Sequence, residues 1–381
     1  MPATSKISLK PIGRIAKFIL LLMNLLAILL LILSVMAWLI VPTRLTFVAY
    51  LGLGFPAILV LNILFLVIWA ILWQWKYVFI QFVILLCCYS PILTYCPINM
   101  RTKEIPENTI KILTYNVRGF NWLTGDTARH NPMVKYIVDC DADIVCLQEF
   151  IVSGDNKNKR GLLTEKEFNK LMDNYPYHSI IRLGEKKSQN LYGLALYSKY
   201  PIKKQAEIPI NSPYNGSAIY ELEIGKKVIT LVNNHLESNR ITAEDKILYN
   251  EFIKADAKSK MINEVTQNIQ ERLGTAYRVR EEQANIISGY IQKHDSISDG
   301  IIVCGDFNDV PNSFTYHKIK GDLIDAYATT GLGPGITFHE NMFLFRIDFI
   351  FHSLAFNAYN CTVGKVKYSD HYPVWTYLEM K

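Results

Sequence analysis

The sequence predicts an α/β domain over residues 109–381, preceded by a transmembrane region over residues 1–97. Two observations predict the α/β class: short runs rich in Ile and Val alternate with helical patterns, and polar residues follow several of these runs. A third observation, three long apolar runs in the first hundred residues, predicts the membrane region. Residues 98–108 carry Pro106 and mixed charges, which indicates a short linker.

The apolar runs cover residues 18–41, 46–73 and 75–96, and they predict an N-terminal bundle of three transmembrane helices. Each run is long enough to cross the hydrocarbon core as a helix, and the first two contain no charged residue. Trp38 and Trp73 lie near the ends, where indole rings prefer the membrane interface. A soluble helical core would need polar faces that these runs lack, and a cleaved signal peptide would have a shorter apolar run.

Four basic residues precede the first span: Lys6, Lys10, Arg14 and Lys17. By the positive-inside rule they place the N-terminus in the cytoplasm. Three crossings then put the second domain outside the cytoplasm, on the periplasmic side if the cell is bacterial. Two basic residues just past the third span argue against this orientation.

Composition limits the function classes that need to be considered. All 34 acidic residues follow position 100, as do 34 of the 40 Lys and Arg, so the net charge of +6 belongs to the membrane region. A neutral second domain argues against electrostatic binding of long nucleic acid over a broad surface, although a local basic groove is still possible. The seven cysteines lack CxxC or zinc spacing, which predicts buried free thiols for most of them and no disulfide framework.

The strongest chemical signal follows the apolar run at residues 301–304. This run predicts a buried strand, Gly305 allows the backbone to turn at its end, and Asp306 and Asn308 come next. Residues two apart in an extended chain face the same side, so the carboxylate and the amide can enter one cleft. The acid can bind a hard cation or accept a proton from water, and the amide can hold a phosphate oxygen. An ordinary Asx turn is the alternative.

Other polar groups also lie at or near strand ends. They are Asn116, Glu149 and His235, after strands over 110–115, 143–147 and 227–233, and Asp348, within a strand over 346–351. Each alone could be a turn former or a satisfied hydrogen-bonding group, but strand ends that share a sheet edge bring such groups together. The buried Asp348 needs a partner, and the adjacent Asp370 and His371 offer one, because a carboxylate fixes the tautomer of an imidazole and raises its basicity.

Helical patterns fill the segments between these strands. They cover residues 133–138, 164–174 and 243–294, the last with a break near Gly274. Most charges of the long helical region form a solvated face, whereas Arg280 and Gln283 can face the sheet.

The motifs together resemble the endonuclease/exonuclease/phosphatase superfamily, which is DNase I-like, in a membrane-anchored, bacterial-type member. They are YNV at 115–117, LQE at 147–149, NHL at 234–236, GDFN at 305–308, IDFI at 347–350 and SDHYPV at 369–374. The resemblance covers residues 108–381. It implies a four-layer α/β sandwich, in which two mixed sheets pack face to face with helices outside.

The resemblance also implies a Mg²⁺ site, with Mn²⁺ as a substitute cofactor. Glu149 looks like the principal metal ligand, with Asn116 beside it and Asp370 completing the metal environment. Asp306 would orient or deprotonate the attacking water, and Asn308 would hold the phosphate.

For the remaining positions the resemblance implies contacts around the scissile bond. His371, backed by Asp348, would contact the scissile phosphate and stabilise charge, although its use as the base stays open. His235 would lie near the leaving group, and Asn233 stands where the family has a threonine, which leaves its local hydrogen bonding undecided. Arg118 and Tyr197 are expected, with Asn308, to contact the substrate.

The sequence therefore predicts a membrane-anchored, Mg²⁺-dependent phosphoesterase that hydrolyses a phosphodiester or phosphomonoester by in-line attack of water. Its expected partners are the bilayer and a phosphoester that is lipid-derived, small or a nucleic acid, and no protein partner can be deduced. One alternative is a membrane-tethered nuclease acting on extracytoplasmic DNA. Another is a catalytically inactive binding protein on the same fold.

Overall fold

A computed structural model describes residues 10–123, 128, 130–154, 162–185, 188–239, 259–340 and 344–381. Lys6 and residues 243–258 of the predicted helical region lie outside the described residues. The helices are α1 (Lys10–Val35), α2 (Thr46–Leu53), α3 (Phe55–Ile71), α4 (Trp75–Cys87), α5 (Tyr89–Tyr95), α6 (Pro132–Asp139), α7 (Glu165–Leu171), α8 (Ser259–Asp295), α9 (Phe314–Lys320) and α10 (Ala326–Thr330). The strands are β1 (Thr109–Asn116), β2 (Ile144–Ser153), β3 (Tyr177–Leu183), β4 (Asn190–Ser198), β5 (Ile202–Ile208), β6 (Gly216–Ile224), β7 (Lys227–His235), β8 (Gly300–Asp306), β9 (Ile324–Asp325), β10 (Asp348–His352), β11 (Phe356–Val363) and β12 (Val374–Met380).

Two six-stranded mixed sheets form the second part of the chain, called here the sheet domain (residues 109–381). The strand order is β11-β12-β1-β2-β4-β3 in the first sheet and β5-β6-β7-β8-β10-β9 in the second. One pair of neighbours is parallel in each sheet, β1 with β2 and β7 with β8, and the other pairs are antiparallel. The parallel pairs occupy sheet interiors, so their polar ends lie where neighbouring strands can surround them.

Apolar side chains cover both faces of each sheet. Ile112 of β1 and Ile302 of β8 pack in the core between the sheets, whereas Phe168 of α7 covers the outer face of the first sheet. Ile287 of α8 and Ile319 of α9 cover the outer face of the second sheet. Burial on both faces explains why the strand at 301–304 is a continuous apolar run. The layers are helix, sheet, sheet, helix, which confirms the predicted α/β fold with two mixed sheets.

The predicted break in the long helical region is wrong. Helix α8 runs without interruption from Ser259 to Asp295 and includes Gly274. The glycine instead allows α2 to pack closely against α8, because a Cβ atom there would lie 2.7 Å from the hydroxyl of Tyr50 on α2. That hydroxyl donates a hydrogen bond of 2.6 Å to the carbonyl of Gln270. Arg280 and Gln283 are buried, as predicted for side chains that face the sheet.

The N-terminal helices differ from three straight spans. Helix α1 ends at Val35 rather than near residue 41, and a short 3-10 helix follows it. The second and third predicted spans are each two helices, bent by 64° between α2 and α3 and by 62° between α4 and α5. Among the described residues, one helix, Gly13–Val35, is therefore long and apolar enough to cross a membrane alone, and the number rises to at most three if each bent pair is one span. Pro56 and Pro91 lie just after the bends, where a missing N–H disfavours a continuous helix.

A buried network of side-chain amides joins α1, α3 and α4. Asn24 donates to Gln81 at 2.9 Å, and Gln81 donates to Asn62 at 2.9 Å. The indole of Trp69 donates to the side-chain oxygen of Asn24 at 2.5 Å, and Asn62 donates to the carbonyl of Ala27 at 2.9 Å. Amides that satisfy one another in this way stabilise contacts between apolar helices.

The N-terminal helices also pack directly on the sheet domain. Thr43 donates hydrogen bonds to the carboxylate of Glu281 from its backbone nitrogen, at 2.8 Å, and from its hydroxyl, at 3.0 Å. The rings of Trp38 and His317 stack with centroids 4.5 Å apart. These contacts hold the ends of α1 and α2 against α8 and α9, so the helices and the sheet domain share an interface.

Candidate active site

Strand pairing in the second sheet sets three polar residues side by side. Asp306 at the end of β8 pairs with His235 at the end of β7 and with Asp348 at the start of β10. Gly305 lies within β8 rather than at a turn after it. Its φ is +123°, and a Cβ atom there would lie 2.0 Å from the carbonyl oxygen of Asn234, so only glycine allows the two strands to approach here.

The first sheet supplies Asn116 and Glu149 from its parallel pair. Asn116 ends β1, and Glu149 lies on β2 at a bulge where the pairing with β4 shifts register. The backbone of Glu149 has φ +50°, which is unusual for a residue with a side chain. A bulge of this kind redirects a side chain out of the strand's normal alternation, and here it leaves the Glu149 carboxylate partly exposed.

Asn116 connects the two sheets at their shared edge. Its amide nitrogen lies 3.1 Å from Oε1 of Glu149 and 3.0 Å from Oδ2 of Asp306. Its side-chain oxygen accepts a hydrogen bond of 3.0 Å from the backbone nitrogen of Arg118. The buried amide therefore separates two carboxylates that would otherwise repel each other.

His371 forms a buried dyad with Asp348. Its Nδ1 lies 2.9 Å from Oδ2 of Asp348, and its Nε2 lies 3.6 Å from Oδ2 of Asp306. Burial by itself lowers the pKa of His371, but the carboxylates of Asp348 and Asp306 outweigh it and raise that pKa to about 10. Burial raises the pKa of Asp306 to about 6, opposed by His371. At neutral pH His371 is therefore protonated, and the neighbouring carboxyl of Asp306 is largely ionised.

The Asn308 side chain and backbone both contact the same acid. The backbone nitrogen of Asn308 donates to Oδ1 of Asp306 at 2.8 Å, and φ at Asn308 is +52°. Its amide nitrogen lies 2.9 Å from the carbonyl of Leu236 and 3.3 Å from Oδ2 of Asp306. The Asx turn and the predicted functional position therefore coexist, and the amide borders the cleft described below.

His235 faces the other side of Asp306. Its Nε2 lies 3.8 Å from Oδ2 of Asp306 and 3.5 Å from Oε1 of Glu149. The amide nitrogen of Asn215 lies 3.3 Å from the same ring nitrogen. Asn215 lies in the loop between β5 and β6 and was not predicted, because nothing in this asparagine-containing turn distinguishes it from an ordinary loop.

Asp370 and Arg118 lie at the rim of the site. The Nε of Arg118 is 3.5 Å from Oδ2 of Asp370, and its Nη2 is 3.2 Å from Oε1 of Glu340. The Ser369 hydroxyl donates to the carbonyl of Asn116 at 2.9 Å and so ties this loop to β1. Glu340 and Ser369 were not predicted, although Ser369 belongs to the SDHYPV motif.

The structure corrects the prediction for Tyr197. This side chain is buried in the outer core of the first sheet, where it packs against Phe150 and Phe168 and its hydroxyl donates to Asn169 at 2.7 Å. Alternation along β4 turns it toward α7 and away from the site. Asn233, the departure from the family's threonine, is satisfied by accepting a hydrogen bond of 2.7 Å from Gln148.

A cleft of about 180 Å³ opens in front of these groups. Its polar lining includes Glu149, Asp306, Asn308, Asp370 and His371. Of the ten residues predicted to form the site, six surround a seventh, Asp306, and the exceptions are Arg118 and Asp370 at the rim and Tyr197 in the core.

The donors in the cleft suit a hard divalent cation. Glu149, Asn116 and Asp370 offer oxygen atoms, which Mg²⁺ and Mn²⁺ prefer. The Asn116 nitrogen, not its oxygen, faces the two carboxylates, so presenting the oxygen to a cation there would require a half-turn of the amide and the loss of its hydrogen bond from Arg118. A second group of three possible ligands, Asp306, Asp348 and His371, has its ligand atoms within 4.8 Å of one another.

Comparisons with known proteins bear on both parts of the chain. The sequence profile described as "Endonuclease/Exonuclease/phosphatase family" matches residues 113–371. A profile described as a domain of unknown function (DUF8431) matches residues 17–95. A search of curated proteins finds no significant match.

Solved structures with a similar fold include the human nocturnin catalytic domain with bound sulfate, which is 16% identical with a TM-score of 0.50 over 74% of this chain and 98% of that one. An endonuclease/exonuclease/phosphatase family protein from Leptotrichia buccalis is 17% identical, with a TM-score of 0.49 over 71% and 100% of the two chains. Truncated TDP2 from Caenorhabditis elegans is 19% identical, with a TM-score of 0.47 over 71% and 97%. At such identity the likeness to nocturnin concerns the fold alone. Because the family profile spans more than half of the chain, this protein belongs to the endonuclease/exonuclease/phosphatase family and is a hydrolase that acts on ester bonds.

Proposed function

We propose that this protein is a membrane-anchored, Mg²⁺-dependent phosphoesterase that hydrolyses a phosphodiester or phosphomonoester by in-line attack of water. The observation that carries the proposal is the convergence, at one cleft, of Asn116 and Glu149 from the first sheet with Asp306 from the second sheet and His371 from the loop before β12. Proteins of this family generally use divalent metals. We assign residues 109–381 to the hydrolase domain, 98–108 to the linker and 1–97 to the anchor.

In this proposal Glu149, Asn116 and Asp370 hold the metal ion. The bound ion would polarise the phosphoryl group and offset charge in the transition state. Asp306 accepts the proton of the attacking water, for which a pKa of about 6 suits a base that works near neutral pH.

The other groups act on the phosphate and the leaving group. Asn308 donates to a phosphate oxygen through its amide, and Arg118 binds the substrate at the rim. His371, kept protonated by Asp348, stabilises the negative charge that develops on the phosphoryl oxygens. His235, on the far side of Asp306, faces the leaving group.

The distribution of charge supports an anchor with its N-terminus in the cytoplasm. Lys17 donates to Gln74 in the turn between α3 and α4 at 2.6 Å, next to Lys76. Lys17 and Lys76 thus lie at the end of the helices opposite to the sheet domain, whereas Arg44 lies at the other end, next to Thr43. By the positive-inside rule the end with Lys17 and Lys76 faces the cytoplasm, and the hydrolase domain then lies on the other side of the bilayer. The proposal treats each bent pair of helices as one span.

Turnover by the full chain in detergent micelles tests the proposal. We expect hydrolysis of bis-p-nitrophenyl phosphate or p-nitrophenyl phosphate that requires Mg²⁺ or Mn²⁺ and stops with EDTA. Asp306→Asn should lower kcat by about a hundredfold or more, as expected when a general base is removed. Asp322→Asn, the same change at an exposed position, is the matched control and should keep full activity.

Three outcomes would contradict this function. Full activity of Asp306→Asn would remove the proposed base, and activity in EDTA would remove the metal. Turnover confined to plasmid DNA in a parallel assay would favour the tethered nuclease, and a folded chain that hydrolyses none of these esters would favour the binding protein.

A further inference from the structure

The active-site cleft has an apolar wall as well as a polar one. The apolar lining residues are Leu53, Val310, Phe338, Phe345 and Ile347. Four of these belong to the sheet domain, but Leu53 is the last residue of α2 and comes from the N-terminal helices. The membrane part of the chain therefore contributes directly to the site where the phosphoester reacts.

This wall continues into the helices without interruption. The same five residues belong to one apolar cluster with Leu31 of α1, Phe55 of α3 and Cys88 and Tyr95 near α5. Leu53 is half-buried at the bend between α2 and α3, so one side of it faces the cleft and the other faces this cluster. An apolar surface thus leads from the catalytic groups to the helices that carry the anchor.

The charge of the cleft narrows the class of substrate. None of the described residues that line it is Lys or Arg. Five lining residues are acidic: Glu149, Asp306, Asp309, Glu340 and Asp370. Arg118 already lies against Glu340 and Asp370 at the rim, and Arg280 lies against Asp309, so one divalent cation would offset the remaining two charges, which suits a single phosphate. A nucleic acid or a polyphosphate would instead need basic groups along the cleft.

We propose that the substrate is an amphiphilic phosphoester with one phosphate and a hydrocarbon chain. The phosphate lies among Asp306, Asn308 and His371, and the chain lies along Leu53, Phe338 and Phe345. This inference rests on the proposed function, because it deepens the substrate class of the same site. Water leaves the apolar wall when a hydrocarbon chain covers it, and each buried methylene contributes about fourfold to binding.

A pair of chromogenic diesters tests the inference with the full chain in detergent. Methyl p-nitrophenyl phosphate and decyl p-nitrophenyl phosphate share the reacting bond and differ in the apolar chain. We expect kcat/KM to be at least about tenfold higher for the decyl ester, the gain from two or more buried methylenes. Leu53→Ser should lower the ratio of the two kcat/KM values about tenfold. Leu45→Ser, the same change at an exposed position on the preceding turn, should leave the ratio unchanged.

The control separates binding from co-localisation. A decyl ester enters the enzyme's micelle, and that enrichment would raise the ratio equally in all variants, so an unchanged ratio in Leu53→Ser overturns the inference. If Leu53→Ser does not fold, Leu53→Phe serves instead, because it keeps the wall apolar but narrows it, and we expect the preferred chain to become shorter. An unaltered chain-length preference in Leu53→Phe would likewise overturn the inference.

The failure of the inference differs from the failure of the proposed function. Mg²⁺-dependent turnover of both esters with no preference for the decyl chain overturns the inference and keeps the function. No turnover of either ester overturns both. A hexadecyl ester, which exchanges slowly between vesicles, distinguishes two sources of such a substrate. Turnover only when the ester and the enzyme share a vesicle indicates that the substrate is a lipid of the same bilayer. Turnover of ester held in separate vesicles indicates that the substrate reaches the enzyme from outside its bilayer. Either result supports an amphiphilic substrate.

Discussion

Acidification should loosen the contact between the N-terminal helices and the sheet domain at His317. This side chain is mostly buried under the ring of Trp38. Burial, with the nearby charge of Lys320, lowers the pKa of His317 from 6.5 to about 4. The folded protein therefore holds His317 neutral at a pH where the unfolded chain protonates it. The resulting stability is complete above about pH 6.5 and is lost as the pH falls toward 4.

The size of the loss follows from the two pKa values. Each unit of difference is worth about 1.4 kcal/mol, so the folded state loses up to about 2 kcal/mol at pH 5 and about 3 kcal/mol below pH 4. For a chain of 381 residues, an unfolding entropy of about 2.1 cal/mol/K per residue makes 2 kcal/mol correspond to a fall in Tm of about 2–3 °C. The partial exposure of the ring makes these figures upper values.

Thermal unfolding by circular dichroism at about pH 7.5 and about pH 5 measures this loss. His317→Phe keeps an aromatic ring on Trp38 and removes the titrating group, so its Tm should depend less on pH than that of the wild type. Other groups titrate equally in both proteins, and their contribution cancels in the difference of slopes. Equal pH dependence of the two Tm values would refute the assignment of this loss to His317.

Three further changes test other parts of the structure. Asp348→Asn removes a carboxylate that raises the pKa of His371, so the alkaline fall in kcat/KM should move from about pH 10 to lower pH; an unmoved limb would contradict the dyad. Arg280→Met leaves the buried Asp309, 3.4 Å away, without its cation and should cost about 3–5 kcal/mol of folding free energy in denaturant unfolding, whereas the double variant with Asp309→Asn should recover most of it. Gln81→Leu breaks the amide network and should lower Tm by the equivalent of about 1–2 kcal/mol, while Phe82→Leu, at an exposed position on the same helix, should not; equal Tm values for both would argue against the network.

The positions of polar residues at predicted strand ends were enough to predict most of the candidate site. Asn116, Glu149 and Asp306 follow apolar runs, and strands that share a sheet edge bring their ends together whatever the loops do. The prediction for Tyr197 was wrong because a tyrosine within a strand can line a site or pack in the core, and only the register of β4 decides which face it occupies.

Other features depend on contacts that no local pattern encodes. Hydropathy shows that a segment is apolar but not whether its helix is straight or bent. The bends next to Pro56 and Pro91 were therefore not predicted, although both prolines are present in the sequence. The local pattern around Gly274 predicts a helix break, because the packing partner that explains this glycine, Tyr50, lies more than two hundred positions away. The position of Leu53 in the cleft was not predicted for the same reason, because it depends on how the N-terminal helices pack against the sheet domain.

The amide network of the N-terminal helices has a consequence for how the protein is made. Helix α1 is apolar enough to enter a bilayer as soon as it is synthesised, but Asn24 then has no side-chain partner in the hydrocarbon until Trp69 and Gln81 arrive. Helix α3 supplies Trp69 and helix α4 supplies Gln81 to complete these hydrogen bonds. A chain that stops after α1 would therefore leave the Asn24 amide without these partners.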